Sequence, residues 1–222
     1  MDKILEKLGV YDLASVLFSG VIIMSLTLKI APFFNEKLIV EVGNSLQFLV
    51  MSYFVGMVFQ EIGSLMSDKE LLKSVFIESE DERLSLTKDE SIYIKSTVGK
   101  KKESAIESDV FTIYNYCKMD YLKTLSNVEL DRKKSIAGMA RNLFCYFIVL
   151  LIASVFKFTY TFETKYIYFT IISIILSGLF YRRYNRFTKM RYVNILRTFY
   201  YTKMSKDTLE CKTEKKVKSK RA

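Results

Sequence analysis

The chain has 222 residues, of which 50% are hydrophobic and 26% charged, and its formal net charge is +10. It contains no histidine, which excludes His-based catalytic triads and the zinc sites that need imidazole. One proline and 8 glycines exclude a turn-rich β-sandwich and favour long helices.

The apolar residues are concentrated in four segments, and a helix needs about 20 residues to cross a bilayer. The first two segments are long enough alone, and weakly polar neighbours extend the other two. A soluble bundle of buried helices is the alternative, but such helices carry a polar stripe, and residues 144–152 and 167–175 carry none. The sequence therefore predicts transmembrane helices at residues 13–31, 46–66, 143–158 and 166–181.

Loop charge predicts the orientation of these spans. Residues 182–222 carry 14 Lys or Arg and 3 acidic residues, a net charge of +11 that exceeds the charge of the whole chain. Residues 67–141 carry 14 residues of each sign, whereas the connectors 32–41 and 159–165 carry one basic residue each. We expect a multi-pass protein of the inner (plasma) membrane, with both termini and the middle segment in the cytoplasm.

The predicted fold class is all-α, an integral membrane protein with four transmembrane helices and a helical cytoplasmic portion. Four regions follow from the charge and hydropathy pattern. They are residues 1–66 with transmembrane helices 1 and 2, the cytoplasmic insert 67–135, residues 136–181 with transmembrane helices 3 and 4, and the basic helix and tail 182–222. Within the last region, the lysine-rich end at residues 211–222 is expected to be a disordered basic tail.

The insert contains two capping-box patterns. Thr87 with Glu90 predicts a helix that ends near Gly99, although a short hairpin through residues 83–86 and 91–94 competes with it. Residues 126–129 form the second pattern and begin a helix that runs to residue 158. Between the two, an apolar stripe at helical spacing contains Ile106, Val110, Ile113, Tyr114, Cys117, Tyr121 and Leu125.

A basic segment follows the fourth span, and no acidic residue lies between Glu163 and Asp207. One interpretation is an anchor that touches anionic lipid headgroups. The other is a site for a nucleotide or oligonucleotide, in which arginines pair with phosphates and tyrosines stack on bases. The candidate ligand-binding residues are Arg182, Arg183, Arg186, Lys189, Arg191, Arg197, Tyr200 and Tyr201.

Polar residues inside the spans are candidates for a pore or for helix packing. Thr170, Ser173 and Ser177 share one face of the fourth span, beside Gly178. No single helix is polar enough for a wide pore, so a pore would need several copies of the chain. The second span supplies the remaining candidates, which are Asn44, Gln47, Gln60, Glu61 and Ser64.

The sequence contains no catalytic or cofactor-binding motif. Cys117, Cys145 and Cys211 are far apart, and a cysteine nucleophile lacks a histidine base. We therefore expect neither an enzyme nor a bound cofactor or metal.

The segments YDLASVLFSG (11–20) and GMVFQEIGSL (56–65), with a helical insert and a basic helix after the last span, resemble small four-span membrane effectors of bacterial anti-phage operons. In plan the chain is most similar to the effectors of Hailong systems. That resemblance implies a tetrameric channel that a single-stranded DNA oligomer holds closed, and an operon partner that is a nucleotidyltransferase. The membrane subunit of Kiwa systems is a competing resemblance, but we expect that plan to lack so large an insert.

Two functions follow as expectations. The first is an oligomeric membrane effector or ion channel, gated from the cytoplasm by an anionic nucleotide or oligonucleotide. The second is a non-conducting membrane scaffold that recruits a soluble partner or anionic lipid through its basic tail. Ion flux through liposomes separates these two functions.

Overall fold

The computed structural model describes residues 10–34, 44–66, 68–77, 81, 83–101, 110–124 and 128–219. These residues form seven helices and no strand, so the described part of the chain is all-helical, as the sequence predicts. In chain order the helices are α1 Val10–Phe34, α2 Ser45–Ser64, α3 Lys69–Val75, α4 Lys88–Lys101, α5 Val110–Thr124, α6 Val128–Thr161 and α7 Thr164–Ser219.

The chain divides into two compact units. The first combines residues 1–67 with 128–188 and contains α1, α2, α6 and the first part of α7. The second combines residues 68–127 with 189–222 and contains α3, α4, α5 and the rest of α7. The divisions fall before residue 128 and after residue 188, whereas the predicted bounds follow residues 135 and 181. The first division is the start of α6, and the second lies within α7.

Four helices are long and apolar enough to cross a membrane, namely α1, α2, α6 and α7. This finding supports the prediction of a membrane protein with four spans. The third and fourth apolar segments are short in the sequence, but α6 has 34 residues and α7 has 56. The helical extension of both segments is therefore confirmed.

Helix α7 continues to Ser219, through most of the segment that we expected to be disordered. The sequence offers a reason, because no Gly or Pro follows Gly178 and the tail is rich in Lys. Lysine is a strong helix former, so nothing in the local sequence ends the helix earlier.

Glycines bring α1 and α2 into close contact in the first unit. A Cβ atom at Gly20 would overlap the carbonyl oxygen of Ser52, and one at Gly56 would overlap the carbonyl oxygen of Val16. Gly56 and Ser52 are four residues apart on α2, and Val16 and Gly20 are four apart on α1. Ser52 and Gly56 form a small-xxx-small pair on α2, and with Gly20 on α1 they let the two helix backbones approach where a larger side chain would separate them.

Helix α6 packs on α1 through a polar pair and an apolar cluster. Asn142 donates a hydrogen bond from Nδ2 to Ser19 Oγ at 3.0 Å, and Ser19 Oγ donates to the Val16 carbonyl at 3.0 Å. Both polar side chains are buried. Each side chain thus has a polar partner in the interior of the unit, where an unpaired polar group would cost free energy. The adjoining buried cluster consists of Ile23, Leu143, Tyr146 and Phe147.

Aromatic contacts join the span of α7 to the rest of the first unit. The rings of Phe147 and Phe180 stack with centroids 5.6 Å apart, and Tyr166 donates its hydroxyl to the Phe33 carbonyl at 3.0 Å. A two-residue turn separates α6 from α7, and its Phe162 has a φ of 53°. Such a left-handed backbone normally favours glycine, so this turn carries strain.

The first capping box of the insert is confirmed. The Glu90 amide donates to Thr87 Oγ1 at 3.3 Å, and the Thr87 amide donates to Glu90 Oε2 at 2.9 Å. The competing hairpin is wrong, because α4 occupies residues 88–101. The helix ends at Lys101, two residues after Gly99, and no described glycine has the positive φ of a glycine cap.

The apolar stripe of the insert is confirmed over α5. Ile113, Tyr114, Cys117 and Tyr121 are buried, and Val110 is half-buried. The stripe's two end residues and the start of the second capping box fall at positions 106 and 125–127, which lie outside the described residues. The core of the second unit joins this stripe to Leu72, Val75, Leu86, Ile94, Val98, Val193, Ile195, Leu196 and Phe199.

Candidate functional site

The two units divide the predicted basic patch between them. Arg182, Arg183 and Arg186 belong to the first unit, whereas Lys189, Arg191 and Arg197 belong to the second. Each half of the patch therefore has its neighbours within its own unit. All six residues lie on α7, as the sequence predicts.

The three arginines of the basic patch that belong to the first unit are exposed. They follow the fourth apolar segment directly, and the guanidinium of Arg183 lies 5.7 Å from the ring centroid of Phe187. An arginine over an aromatic face keeps its charge while its stem covers apolar surface. The arrangement leaves cationic groups accessible at the end of a span, which suits both interpretations of the patch.

Arg197 is held by a carboxylate of its own unit. Its Nε lies 3.0 Å from Glu90 Oε1 and 3.2 Å from Oε2, and its Nη2 donates to the Ser85 carbonyl at 3.2 Å. The Glu90 side chain is only 7% exposed. Glu90 thus caps α4 and neutralises Arg197 at the same time, which leaves little of this guanidinium for an external anion.

Two further basic residues of α7 have acidic neighbours in the second unit. Arg191 Nη2 lies 3.7 Å from Asp68 Oδ2, and the Tyr192 hydroxyl donates to the same oxygen at 2.9 Å. Lys203 Nζ lies 3.3 Å from Asp120 Oδ2. The carboxylates are far from α7 in the sequence. Local charge arithmetic therefore missed all of them, and only the capping box signalled a structural role for Glu90.

Tyr200 and Tyr201 form an aromatic cluster with Tyr93. The ring centroids of Tyr93 and Tyr200 are 5.1 Å apart and those of Tyr200 and Tyr201 are 5.2 Å apart, both edge to face. Tyr200 is half-buried, and Tyr201 is 60% exposed. The Tyr201 ring is therefore accessible to a base or another planar group, whereas Tyr200 mainly supports it.

Neither Cys117 nor Tyr114 is poised for chemistry. Burial raises the pKa of the Cys117 thiol to about 12, and the nearby Asp120 adds to the increase. Burial also raises the pKa of Tyr114. Both groups stay protonated at neutral pH, so Cys117 acts as a packed apolar side chain.

The polar candidates of the second span differ in exposure. Asn44, Gln47, Glu61 and Ser64 are exposed, whereas Gln60 is half-buried. Ser64 donates its hydroxyl to the Glu61 carbonyl at 2.7 Å, a bond within the last turn of α2. The carboxylate of Glu61 is thus directed to the outside of the described unit, beside a helix end.

The hydroxyl face of the fourth span serves packing, as the sequence predicts. Ser173 and Ser177 are buried and Thr170 is half-buried. Gly178 differs, because it is exposed and a Cβ atom there would meet nothing within 4 Å. The packing prediction is therefore confirmed for the two serines, and Gly178 takes no part in the packing within the described unit.

Sequence reasoning missed two polar residues of α6. Asn142 is 1% exposed and contacts Ser19, and its Oδ1 atom has no hydrogen-bond partner among the described residues. Arg141 lies beside Gly63, where a Cβ atom would stand 2.8 Å from the arginine Nε. Two polar residues at the start of an otherwise apolar run were the available signal.

An apolar cavity of about 400 Å³ lies between α1, α2 and α6 in the first unit. Apart from Thr27 and Tyr146, its walls are apolar, so it offers no charged group to a ligand. The described residues contain no cluster of three His, Cys, Asp or Glu side chains that could hold a metal ion.

Comparison with known proteins gives no further assignment. No family model matches the chain, and no curated protein or solved structure is significantly similar to it. The resemblance to anti-phage membrane effectors therefore stays a prediction from the sequence.

Proposed function

We propose that the protein is an oligomeric membrane effector that conducts ions and is gated from the cytoplasm by an anionic nucleotide or oligonucleotide, in bacterial anti-phage defence. The observation that carries the proposal is the continuity of α7. One uninterrupted helix of 56 residues contains the fourth candidate span, the exposed arginines, and Tyr200 and Tyr201. Binding at the basic part of this helix thereby acts on the same element that crosses the membrane.

The distribution of charge supports an anionic ligand. Arg182, Arg183 and Arg186 are exposed, and Lys189 is half-buried. In a symmetric oligomer these residues recur around one axis and concentrate positive charge. A ligand with several phosphates would gain more from such a surface than a mononucleotide, because each neutralised phosphate releases counterions. The exposed Tyr201 adds a surface for base stacking.

A conducting path requires several copies of the chain. Within the first unit, α1, α2 and α6 pack through glycines, buried hydroxyls and apolar side chains. Such packing offers no polar route through one copy. We therefore propose a homo-oligomer, and the resemblance favours a tetramer, with an operon-encoded nucleotidyltransferase as the source of the oligonucleotide.

Ion flux tests this function directly. Purified protein is reconstituted in liposomes, and potassium flux is measured with and without a short single-stranded DNA oligonucleotide. We expect flux that the oligonucleotide suppresses, and binding that weakens steeply as salt rises. Arg186→Glu with Lys189→Glu should abolish the suppression. Lys73→Glu, a charge reversal at an exposed residue of α3, is the matched control. Liposomes that stay tight under every condition contradict the proposal.

Membrane topology is tested separately. We propose the plasma membrane, with both termini and the insert in the cytoplasm. In intact cells a cysteine at Asn35 or Thr161 should react with an impermeant maleimide, whereas one at Lys101 should be protected. The opposite labelling pattern refutes the orientation without touching the question of flux.

The exposed arginines also favour a second function, a non-conducting scaffold anchored by anionic lipid. Arg182, Arg183 and Arg186 follow the span directly, where each basic residue near an anionic surface contributes about 1 kcal/mol. In this case liposomes stay tight, and the Arg186→Glu and Lys189→Glu changes alter lipid binding or topology and leave oligonucleotide binding unaffected.

A further inference from the structure

Arg141 is a half-buried arginine that has no counter-ion in the part of the chain that the structure describes. It lies on α6, within the third candidate span. Its Nε atom is enclosed and has no hydrogen-bond partner, and no described carboxylate forms an ion pair with its guanidinium. Arginines are rarely buried without a partner, and an ionisable group at the depth of a span normally meets one. An anion from outside the described residues would complete this site.

Gly63 of α2 makes room for this arginine. A Cβ atom at Gly63 would stand 2.8 Å from Nε of Arg141 and 3.1 Å from its Cγ and Cδ atoms, so a larger residue would displace the stem. The enclosed atoms without a partner include Nε but neither Nη1 nor Nη2. The stem is thus held against α2, while the two terminal nitrogens form the edge of the guanidinium that an external anion can reach.

The lengths of two helices place this group at the edge of a bilayer. Arg141 lies 20 residues before Thr161, the end of α6, which corresponds to about 30 Å of helix. Gly63 lies 18 residues after Ser45, the start of α2, which corresponds to about 27 Å. Both distances match the hydrocarbon thickness of about 30 Å. The guanidinium therefore lies at the level where the hydrocarbon ends and the phosphates of the lipid headgroups begin.

The neighbouring residues of α2 favour a lipid as the source of the anion. Glu61 is exposed, but at 100° per residue it lies roughly 160° away from Gly63 around the helix, so it does not face Arg141 within one copy. Ile62 and Leu65, in the same turn as Gly63, are 41% and 85% exposed. A phospholipid offers a phosphate to the guanidinium and apolar chains to these side chains, whereas a nucleic acid offers only the phosphate.

From this geometry we propose that Arg141, held against Gly63, binds the phosphate of an anionic phospholipid. Arginine presents parallel N–H donors that match two phosphate oxygens, which fixes the headgroup as well as neutralising it. Basic groups between membrane helices bind anionic headgroups on the cytoplasmic side, where the proposed topology places this end of α6. The site is separate from the basic segment of α7, and it does not depend on whether the protein conducts ions.

Lipid retention tests the site. The full chain in detergent is mixed with equal amounts of phosphatidylglycerol and phosphatidylcholine, and bound lipids are counted by native mass spectrometry. We expect preferential retention of phosphatidylglycerol and a several-fold loss in Arg141→Gln. Arg132→Gln removes the same charge from an exposed position of α6, about 13 Å nearer the start of the helix, and should retain the lipid. No preference in the parent, or an equal loss in both variants, overturns the inference.

A second pair of variants separates a built site from simple positive charge. Gly63→Leu keeps every charge but occupies the place of the arginine stem, so phosphatidylglycerol retention should again fall several-fold. If Gly63→Leu is not monodisperse by size-exclusion chromatography, Arg141→Lys decides, because it keeps the charge and loses the parallel donors. Retention equal to that of the parent in the deciding variant overturns the site.

Two further measurements distinguish a lipid phosphate from other anions. Arg141→Gln should bind a short single-stranded DNA oligonucleotide as well as the parent does. Loss of that binding with unchanged lipid retention assigns the phosphate to the nucleic acid and overturns the lipid site. Glu61→Gln should leave both lipid retention and the oligomer mass unchanged. If Glu61→Gln and Arg141→Gln both reduce the oligomer mass and neither affects lipid retention, the anion is the Glu61 carboxylate of a neighbouring copy, which also overturns the inference.

Discussion

Each of the two units of the molecule is stabilised internally by a different kind of interaction. In the first unit, helices meet through glycines, buried hydroxyls and aromatic rings, as in the contact of Gly20 with Ser52 and the stack of Phe147 on Phe180. In the second unit, residues distant in sequence meet through ion pairs such as Glu90 with Arg197. The candidate spans of the first unit meet where small residues let two helix backbones approach closely. The helices of the second unit are connected instead by charged side chains that are far apart in the sequence.

The largest expected effect breaks the backbone packing of the first unit. Gly56→Leu places a side chain where the Val16 carbonyl lies, and it should cost about 3 kcal/mol or more of stability. We expect loss of monodisperse protein in detergent by size-exclusion chromatography. Gly178→Ala is the matched control, because a Cβ atom there meets nothing within 4 Å. Equal behaviour of the two variants would contradict the close packing of α1 and α2.

The next effect concerns the ion pair of the second unit. Arg197→Ala leaves the nearly buried Glu90 carboxylate without its partner, and we expect a loss of about 2–3 kcal/mol in thermal or denaturant unfolding. The exposed pair of Glu163 with Lys165 supplies the comparison, since its side chains are 48% and 43% exposed. Glu163→Gln should cost well under about 1 kcal/mol. A similar loss in both variants would show that burial does not strengthen the Arg197 pair.

The turn between α6 and α7 offers an increase in stability. Phe162 has a φ of 53°, a conformation that costs a non-glycine residue about 1–2 kcal/mol. Phe162→Gly should therefore raise the melting temperature. Phe162→Ala retains the backbone strain and removes the ring, so it reports the ring's own contribution. If the glycine variant is less stable than the alanine variant, the backbone is not strained at this position.

The smallest expected effect is the hydrogen bond between α1 and α6. Asn142 and Ser19 should show a coupling of about 0.6 kcal/mol in a double-mutant cycle of Asn142→Leu and Ser19→Ala. Polar pairs between membrane helices typically show couplings of this size, because these groups also find partners in the unfolded state. Additive effects of the two changes would mean that the buried pair contributes nothing to stability.

Local sequence patterns predicted most of the helices. Two apolar runs of the length that a bilayer crossing needs predicted the first two spans, and Thr87 with Glu90 predicted the start of α4. The predicted end near Gly99 lies two residues before the observed end at Lys101, and Gly99 lacks the positive φ of a glycine cap. Whether a glycine adopts that conformation depends on how the next residues of the chain pack in the tertiary structure.

The sequence by itself determined that this chain is helical and carries four segments able to cross a membrane, since length, apolar runs and the lack of Pro and Gly are local properties. It also placed the six basic residues of the candidate patch on one helix, although α7 runs further, into the expected tail. Only the tertiary structure decided that Arg197 is neutralised and that Arg182, Arg183 and Arg186 stay exposed. The carboxylate of Glu90 lies more than a hundred residues away along the chain, and no local pattern encodes a pairing that folding alone brings within 3.0 Å.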